Sequence, residues 1–96
     1  VEMVDISPEY LSLRAYKSDW EIEKIAAAFK LADAAYDAMK EQIKVGNTEI
    51  QVAAAGEYAA RSRGASNFGF TAIVGSGARS NAVVPTASNK EMADGE

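Results

Sequence analysis

SDWEIEKIAAAFKLADAAYDAMKEQIKVG, residues 18–46, decides how the rest of this chain is read. It opens on Ser18-Asp19-Trp20-Glu21, a capping box: the serine hydroxyl accepts from a free backbone N–H and Glu21 reaches back. Behind the box Ile22, Ile25, Phe29, Ala32, Tyr36, Met39 and Ile43 recur at alternating spacings of 3 and 4. That is one face of a helix about seven turns long. Gly46 stands where a left-handed C-cap residue is expected. Phe29, Tyr36 and Met39 read as core rather than as an aromatic pocket, because helical spacing on an apolar face marks packing. Asp33, Asp37 and Glu41 follow at i, i+4, i+8, a spacing that could gather a hard cation. Lys30, Lys40 and Lys44 interleave with them, so the preferred reading is a solvated, ion-paired face.

Working outward toward the C-terminus, Thr48-Glu49-Ile50-Gln51 is a second capping box. The helix it opens runs to about Arg63, with Gly64 as its stop. Its expected buried face is Ala53, Ala54 and Ala60 with Ile50 and Tyr58. Gly56 costs a helix roughly 1 kcal/mol relative to Ala, which points to close packing against a neighbour. After Gly64 the period changes. Phe68 to Val74 is β-rich and ends in the turn Gly75-Ser76-Gly77, and Asn81 to Val84 is a second short strand stopped by Pro85. Residues 86–96 are polar and loop-like. The expected class is α+β, two helices followed by a two-strand segment. Two strands alone are marginal in water, so the sheet is expected to lack strands.

Toward the N-terminus, residues 1–16 read as a connector with at most a short strand, since Pro8 breaks whatever precedes it.

With 96 residues, the chain is one domain or less. Apolar residues make up 48% and charged residues 25%, which is globular usage and argues against disorder. A net charge of −4 argues against a nucleic-acid partner, which needs clustered Lys and Arg. No apolar run approaches the roughly 20 residues that span a bilayer, so no membrane partner is expected. Glu2 and Asp5 interrupt the apolar start, so no signal peptide is expected and a cytoplasmic location is. Cysteine and histidine are both absent. That removes thiolate metal sites, the commonest general base and the commonest zinc ligand. Gly75-Ser76-Gly77-Ala78-Arg79-Ser80 lacks the third glycine of a phosphate-binding loop and reads as a tight turn. Ser76, Ser80 and Ser88 have no histidine to activate them. A Ser–Lys arrangement with Lys90 gains no support from spacing, and the serines read as turn formers. The segment holds no complete catalytic site and is expected to be one piece of a larger enzyme.

Four motifs, in order, resemble the opening of the catalytic domain of the pita-bread metallohydrolases, the family of creatinase, Xaa-Pro aminopeptidase and prolidase. Leu13-Arg14-Ala15-Tyr16-Lys17-Ser18 with Glu21-Ile22 resembles its first motif. Val45 to Glu49 resembles its "G-x-T-E" link. Gly64-Ala65 with Phe70 to Gly77 resembles its strand ending in glycine, and Asn89 to Glu96 resembles the stretch leading to "G-D". The resemblance implies a connector from a separate N-terminal domain over residues 1–16 and the first part of the catalytic domain over 17–96. It implies a hydrolase or metallopeptidase (Xaa-Pro peptidase or creatinase-like) acting on peptides or a small amidine-like molecule, with a homodimer as the whole form. In that family two divalent metals (manganese, cobalt or zinc) generate a hydroxide. Their ligands lie downstream of the position that Glu96 matches, so none is assigned here. The family also carries a histidine before "G-D". Counting back from Gly95 it falls on Val84, which can neither transfer a proton nor accept a hydrogen bond. Glu96 replaces the aspartate of "G-D". These two departures leave open a non-catalytic relative serving as a binding or scaffold module. A free-standing helical interaction domain ranks below both.

Overall fold

The computed structural model describes residues 3–96. Its elements are α1 (Ser7–Ala15), α2 (Asp19–Gln42), α3 (Glu49–Arg61) and a short 3-10 helix (Gly77–Asn81). No strand forms among the described residues. The expected two-strand segment is replaced by two isolated antiparallel bridges, Thr48 with Glu91 and Ile73 with Thr86. The reason is in the pairing. Val74 N–H donates to the Pro85 carbonyl at 3.2 Å, but proline has no N–H to continue a ladder. Asn81 joins the 3-10 helix, and Val83, at 95% exposure, pairs with nothing.

Both capping boxes form as expected. Ser18 accepts from Glu21 N–H, and Thr48 accepts from Gln51 N–H. Gly46 has a left-handed φ of +86°, but α2 already ends at Gln42. The glycine belongs to the following turn, and Asn47 Nδ2 donates to the otherwise orphaned Gln42 carbonyl at 2.9 Å. Gly64, at φ +103°, closes α3 as expected, with Ala65 N–H reaching back to the Ala60 carbonyl at 3.1 Å.

Residues 7–15, within the expected connector, are helical. Pro8 does not break the chain there: it occupies the first turn of α1, where its missing N–H costs nothing. Val1 and Glu2, at the start of the expected connector, lie outside the described residues.

Packing is confined to one pair of helices, α2 against α3. Gly56 lets them meet: a Cβ there would lie 2.5 Å from Met39 Cγ and 3.3 Å from the Ala35 carbonyl oxygen. The buried residues of α3 are Glu49, Val52, Ala53, Gly56, Ala59 and Ala60. Ala53 and Ala60 were expected there. Ala54, Ile50 and Tyr58 are instead exposed, because the α2 contact is turned about a residue away from the assumed face. The stripe on α2 is displaced likewise. Its half-buried residues are Leu31, Ala34, Ala35, Ala38, Met39 and Gln42, while Ile22, Ile25, Phe29, Tyr36 and Ile43 stand in solvent. Small side chains made the α2–α3 contact possible, and large ones were left out of it.

The consequence is an open molecule. Its radius of gyration is 18.1 Å, against about 12.5 Å for a compact chain of this length. Its accessible surface is 7675 Å², against about 5,300 Å² for a compact monomer of this mass.

Candidate functional site

The residues that reach furthest across the chain converge on the start of α3. Thr48 caps the helix, which places Glu49 at its first position, where a negative charge is favoured by the helix dipole. The free N–H groups of Glu49 and Ile50 are taken up by the carbonyls of Lys90 (3.2 Å) and Ser88 (3.1 Å). Segment 88–92 is therefore laid across the helix N-terminus, and Met92 exchanges backbone hydrogen bonds with Gly46 and Asn47, both at 2.9 Å.

This overlay seals the Glu49 side chain completely, at 0% exposure. A buried carboxylate is tolerable only when its oxygens are fully hydrogen-bonded, and here they are. Oε1 accepts from the Ser76 N–H (2.8 Å) and the Ser76 hydroxyl (3.0 Å). Oε2 accepts from the Ser88 N–H (3.0 Å) and the Ser88 hydroxyl (2.7 Å). Arg79 Nε donates to both, at 3.2 and 3.0 Å, and its Nη2 donates to the Thr86 carbonyl. The Ser88 hydroxyl is the leading cause holding the Glu49 carboxyl down at about 2; burial opposes it and the Ser76 donors and Ser88 N–H assist it. Such a group is a permanent anion near neutrality. It has too little proton affinity to serve as a general base there, so its chemistry is that of an anchor.

A second ion pair adjoins the first. Lys90 Nζ pairs with Glu96 and donates to the Ser76 hydroxyl at 3.1 Å. Glu96 also accepts from the Ala93 N–H, and the Lys90 hydrogen bond leads in lowering its carboxyl below the ordinary value. Ser76 and Lys90 do come together, but not as a nucleophile and its base. The Ser76 hydroxyl is directed at Glu49, and Lys90 is paired with the Glu96 carboxylate. Ser80 is the one serine of the three in a turn-former's role, donating to the Gly75 carbonyl at 3.2 Å.

The other candidates are not brought together. Asp33, Asp37 and Glu41 lie exposed along α2, and among the described residues no three acidic side chains gather closely enough to hold a metal ion. The face is solvated, as expected. It is not ion-paired, since among the described residues the two salt bridges are those of Glu49 and Glu96. The stretch 75–80 forms a tight turn and 3-10 helix that delivers Ser76 and Arg79 to Glu49. Val84 is 65% exposed and lines a shallow groove with Phe70, Thr71, Ala72, Ile73 and Thr86. Glu49 was read from sequence only as an inner residue of the second capping box and as part of the link between helices. Its signal was its place directly after a cap residue, where a carboxylate meets free N–H groups; its partners, 27 to 39 residues away, left no local mark.

The cluster ties a helix N-terminus to two loops, in a segment whose described residues leave many large apolar side chains exposed. The chain belongs to metallopeptidase family M24, whose model matches residues 23–96. It is 37% identical over 95 residues to the uncharacterized peptidase YqhT of Bacillus subtilis, covering 99% of this chain and 27% of that protein. It is 39% identical over 84 residues to the Xaa-Pro dipeptidase of Pyrococcus furiosus, covering 88% of this chain and 24% of that enzyme. The Xaa-Pro dipeptidase of Pyrococcus horikoshii stands at 38% over 84 residues, with the same shares. The chain thus spans about a quarter of the length of these relatives. No solved structure matches it. No helix among the described residues is long and apolar enough to cross a membrane.

Proposed function

We propose that residues 17–96 are the first part of a pita-bread catalytic domain and that residues 1–16 lead into it from a preceding domain. The whole protein is a cytoplasmic, dimeric hydrolase of dipeptides ending in proline. The observation that supports this is the similarity to two enzymes named Xaa-Pro dipeptidase, extending over 88% of the chain. The described residues do not fit a metal pair, because no three of their carboxylates gather closely enough to hold an ion, and the two that meet in the cluster, Glu49 and Glu96, are committed to Ser76, Ser88, Arg79 and Lys90. A manganese, cobalt or zinc pair would be held by other parts of the whole protein. The part of this segment is to present α3 and the loops fastened to it.

The test is hydrolysis of Ala-Pro by the whole protein, stripped with a chelator and then resupplied with manganese, cobalt or zinc in turn. Release of proline that is lost on stripping and restored by one of these metals supports the reading. Absence of hydrolysis under every metal sinks it.

One observation favours a second reading, a non-catalytic relative that acts as a binding module. Val84 stands exposed at the position where the resemblance places a histidine. Binding of Ala-Pro without its cleavage would support that reading.

A further inference from the structure

The loop between Ser76 and Ser88 is closed at its base by one side chain. Each serine brings its N–H and its hydroxyl to a separate oxygen of Glu49, and Arg79, inside the loop, bridges the two oxygens. The fastenings close to that base reinforce it. A Cβ on Gly75 would lie 2.7 Å from Pro85 Cγ and 3.1 Å from the Arg79 carbonyl oxygen, so the two arms touch. Above this base the tip is free: Val83 and Val84 are 95% and 65% exposed. The arms share one isolated backbone bridge, Ile73 with Thr86, so the loop's position depends on the carboxylate more than on a ladder.

We infer that Glu49 is a positioning residue, which fixes the loop 77–87 on α3 and so sets where Val84 and its groove face the substrate. The inference rests on the peptidase reading above, which supplies the substrate, and on the resemblance, which puts Val84 where the family's histidine stands. Its physical basis is the geometry of the clasp. The two oxygens are equivalent acceptors, and each takes two donors from one arm. Replacing Glu49 with Gln turns one oxygen into an N–H donor that faces that arm's backbone N–H and Arg79 Nε, neither of which can accept. That arm is released while the other holds, and the loop swings rather than unfolds.

The experiment uses the whole protein with Ala-Pro as substrate. Backbone amide exchange over 77–87, the thermal midpoint, and kcat and KM separately are measured for the wild type, Glu49→Gln, Ser88→Ala, Ser88→Thr and Val52→Ala. Val52, 2% exposed in α3 and with no polar side-chain atom to join the clasp's hydrogen bonds, controls for lost stability. Glu49→Gln is expected to open 77–87 to exchange and to lower kcat/KM by on the order of 10²-fold, the cost of misplacing a substrate-facing wall by about 1 Å. The loss falls mainly on KM. At equal folded fraction Val52→Ala keeps both constants, and Ser88→Thr, which keeps the hydroxyl, restores what Ser88→Ala loses. Equal losses in Glu49→Gln and Val52→Ala at equal folded fraction would overturn the inference. So would unchanged exchange over 77–87 in an active enzyme. If Glu49→Gln does not fold, the Ser88→Ala and Ser88→Thr pair decides in the same way. Loop release in a protein that hydrolyses no dipeptide overturns the peptidase reading, and with it the substrate-facing role of Val84, but shows the clasp itself to be real.

Discussion

The start of α3 and the outer stripe of α2 invert the usual arrangement of a folded chain. At the first, the most deeply buried side chain is a carboxylate, Glu49. Along the second, Ile22, Phe29 and Tyr36 stand 54%, 65% and 67% exposed. The difference lies in where the partners are. Every group that Glu49 requires is present within the described residues, from Ser76 to Lys90, so its burial is complete and satisfied. Nothing within them covers the α2 stripe, so its apolar surface stays in water. An isolated surface Leu or Phe would mean little, but five large side chains at helical spacing mark a face made to be covered.

Breaking the clasp should therefore have the largest effect on this chain. Glu49→Ala leaves Arg79 Nε and the four donors of Ser76 and Ser88 without the acceptor they share. The expected outcome is loss of the cooperative thermal transition, followed by circular dichroism; a variant melting like the parent would make the clasp ornamental. The pH dependence follows with a definite sign. The Glu49 carboxyl is lowered from 4.5 to about 2. A group with a depressed folded pKa contributes stability that is whole above about 4.5 and is lost as pH falls toward about 2. The melting temperature should be flat from pH 7 to 5 and then fall. The fall should be shallower in Ser88→Ala, which lacks the leading hydrogen bond.

This contrast also explains what the amino-acid sequence could disclose. Ser18, Glu21, Thr48, Gln51 and Gly64 act within a few residues of themselves, and their caps and stop were legible from spacing alone. The helical stripe was legible as a stripe, but which side of α2 would meet α3 was not. That is decided by the smallness of Ala35 and Gly56, a property of two surfaces at once. The strands were misread because β-rich composition states a preference that only partner strands can realise. The clasp was invisible for the corresponding reason: Ser76, Arg79 and Ser88 look like turn residues until the chain folds them onto Glu49.

Two substitutions in the α2–α3 contact lie between the extremes. Val52→Ala removes two methyl groups from a site 2% exposed. It should cost about 1–3 kcal/mol in chemical denaturation, with the 77–87 amides still protected at low denaturant. Gly56→Ala sets a helix gain of roughly 1 kcal/mol against a Cβ 2.5 Å from Met39 Cγ and 3.3 Å from the Ala35 carbonyl oxygen. Met39 can turn aside, but the carbonyl belongs to the backbone, so overpacking should win by about 1 kcal/mol net. Gly56→Ala with Met39→Ala should recover part of that loss; strict additivity of the two would show that the helices are not in close contact there.

The smallest expected effect bears most directly on the comparison. Phe29→Ala in this chain removes a side chain that is 65% exposed, and should change the unfolding free energy by no more than about 0.5 kcal/mol. In the whole protein, where the stripe is expected to be covered, the same substitution should cost about 3–5 kcal/mol. The two measurements together isolate the contribution of the covering surface, because the helix, its cap and its contact with α3 are common to both. A small effect in both would mean that the stripe stays open in the whole protein and is a surface for a partner. A large effect in the short chain would mean that Phe29 is already buried there, and the contrast between a satisfied polar centre and an unsatisfied apolar face would fail.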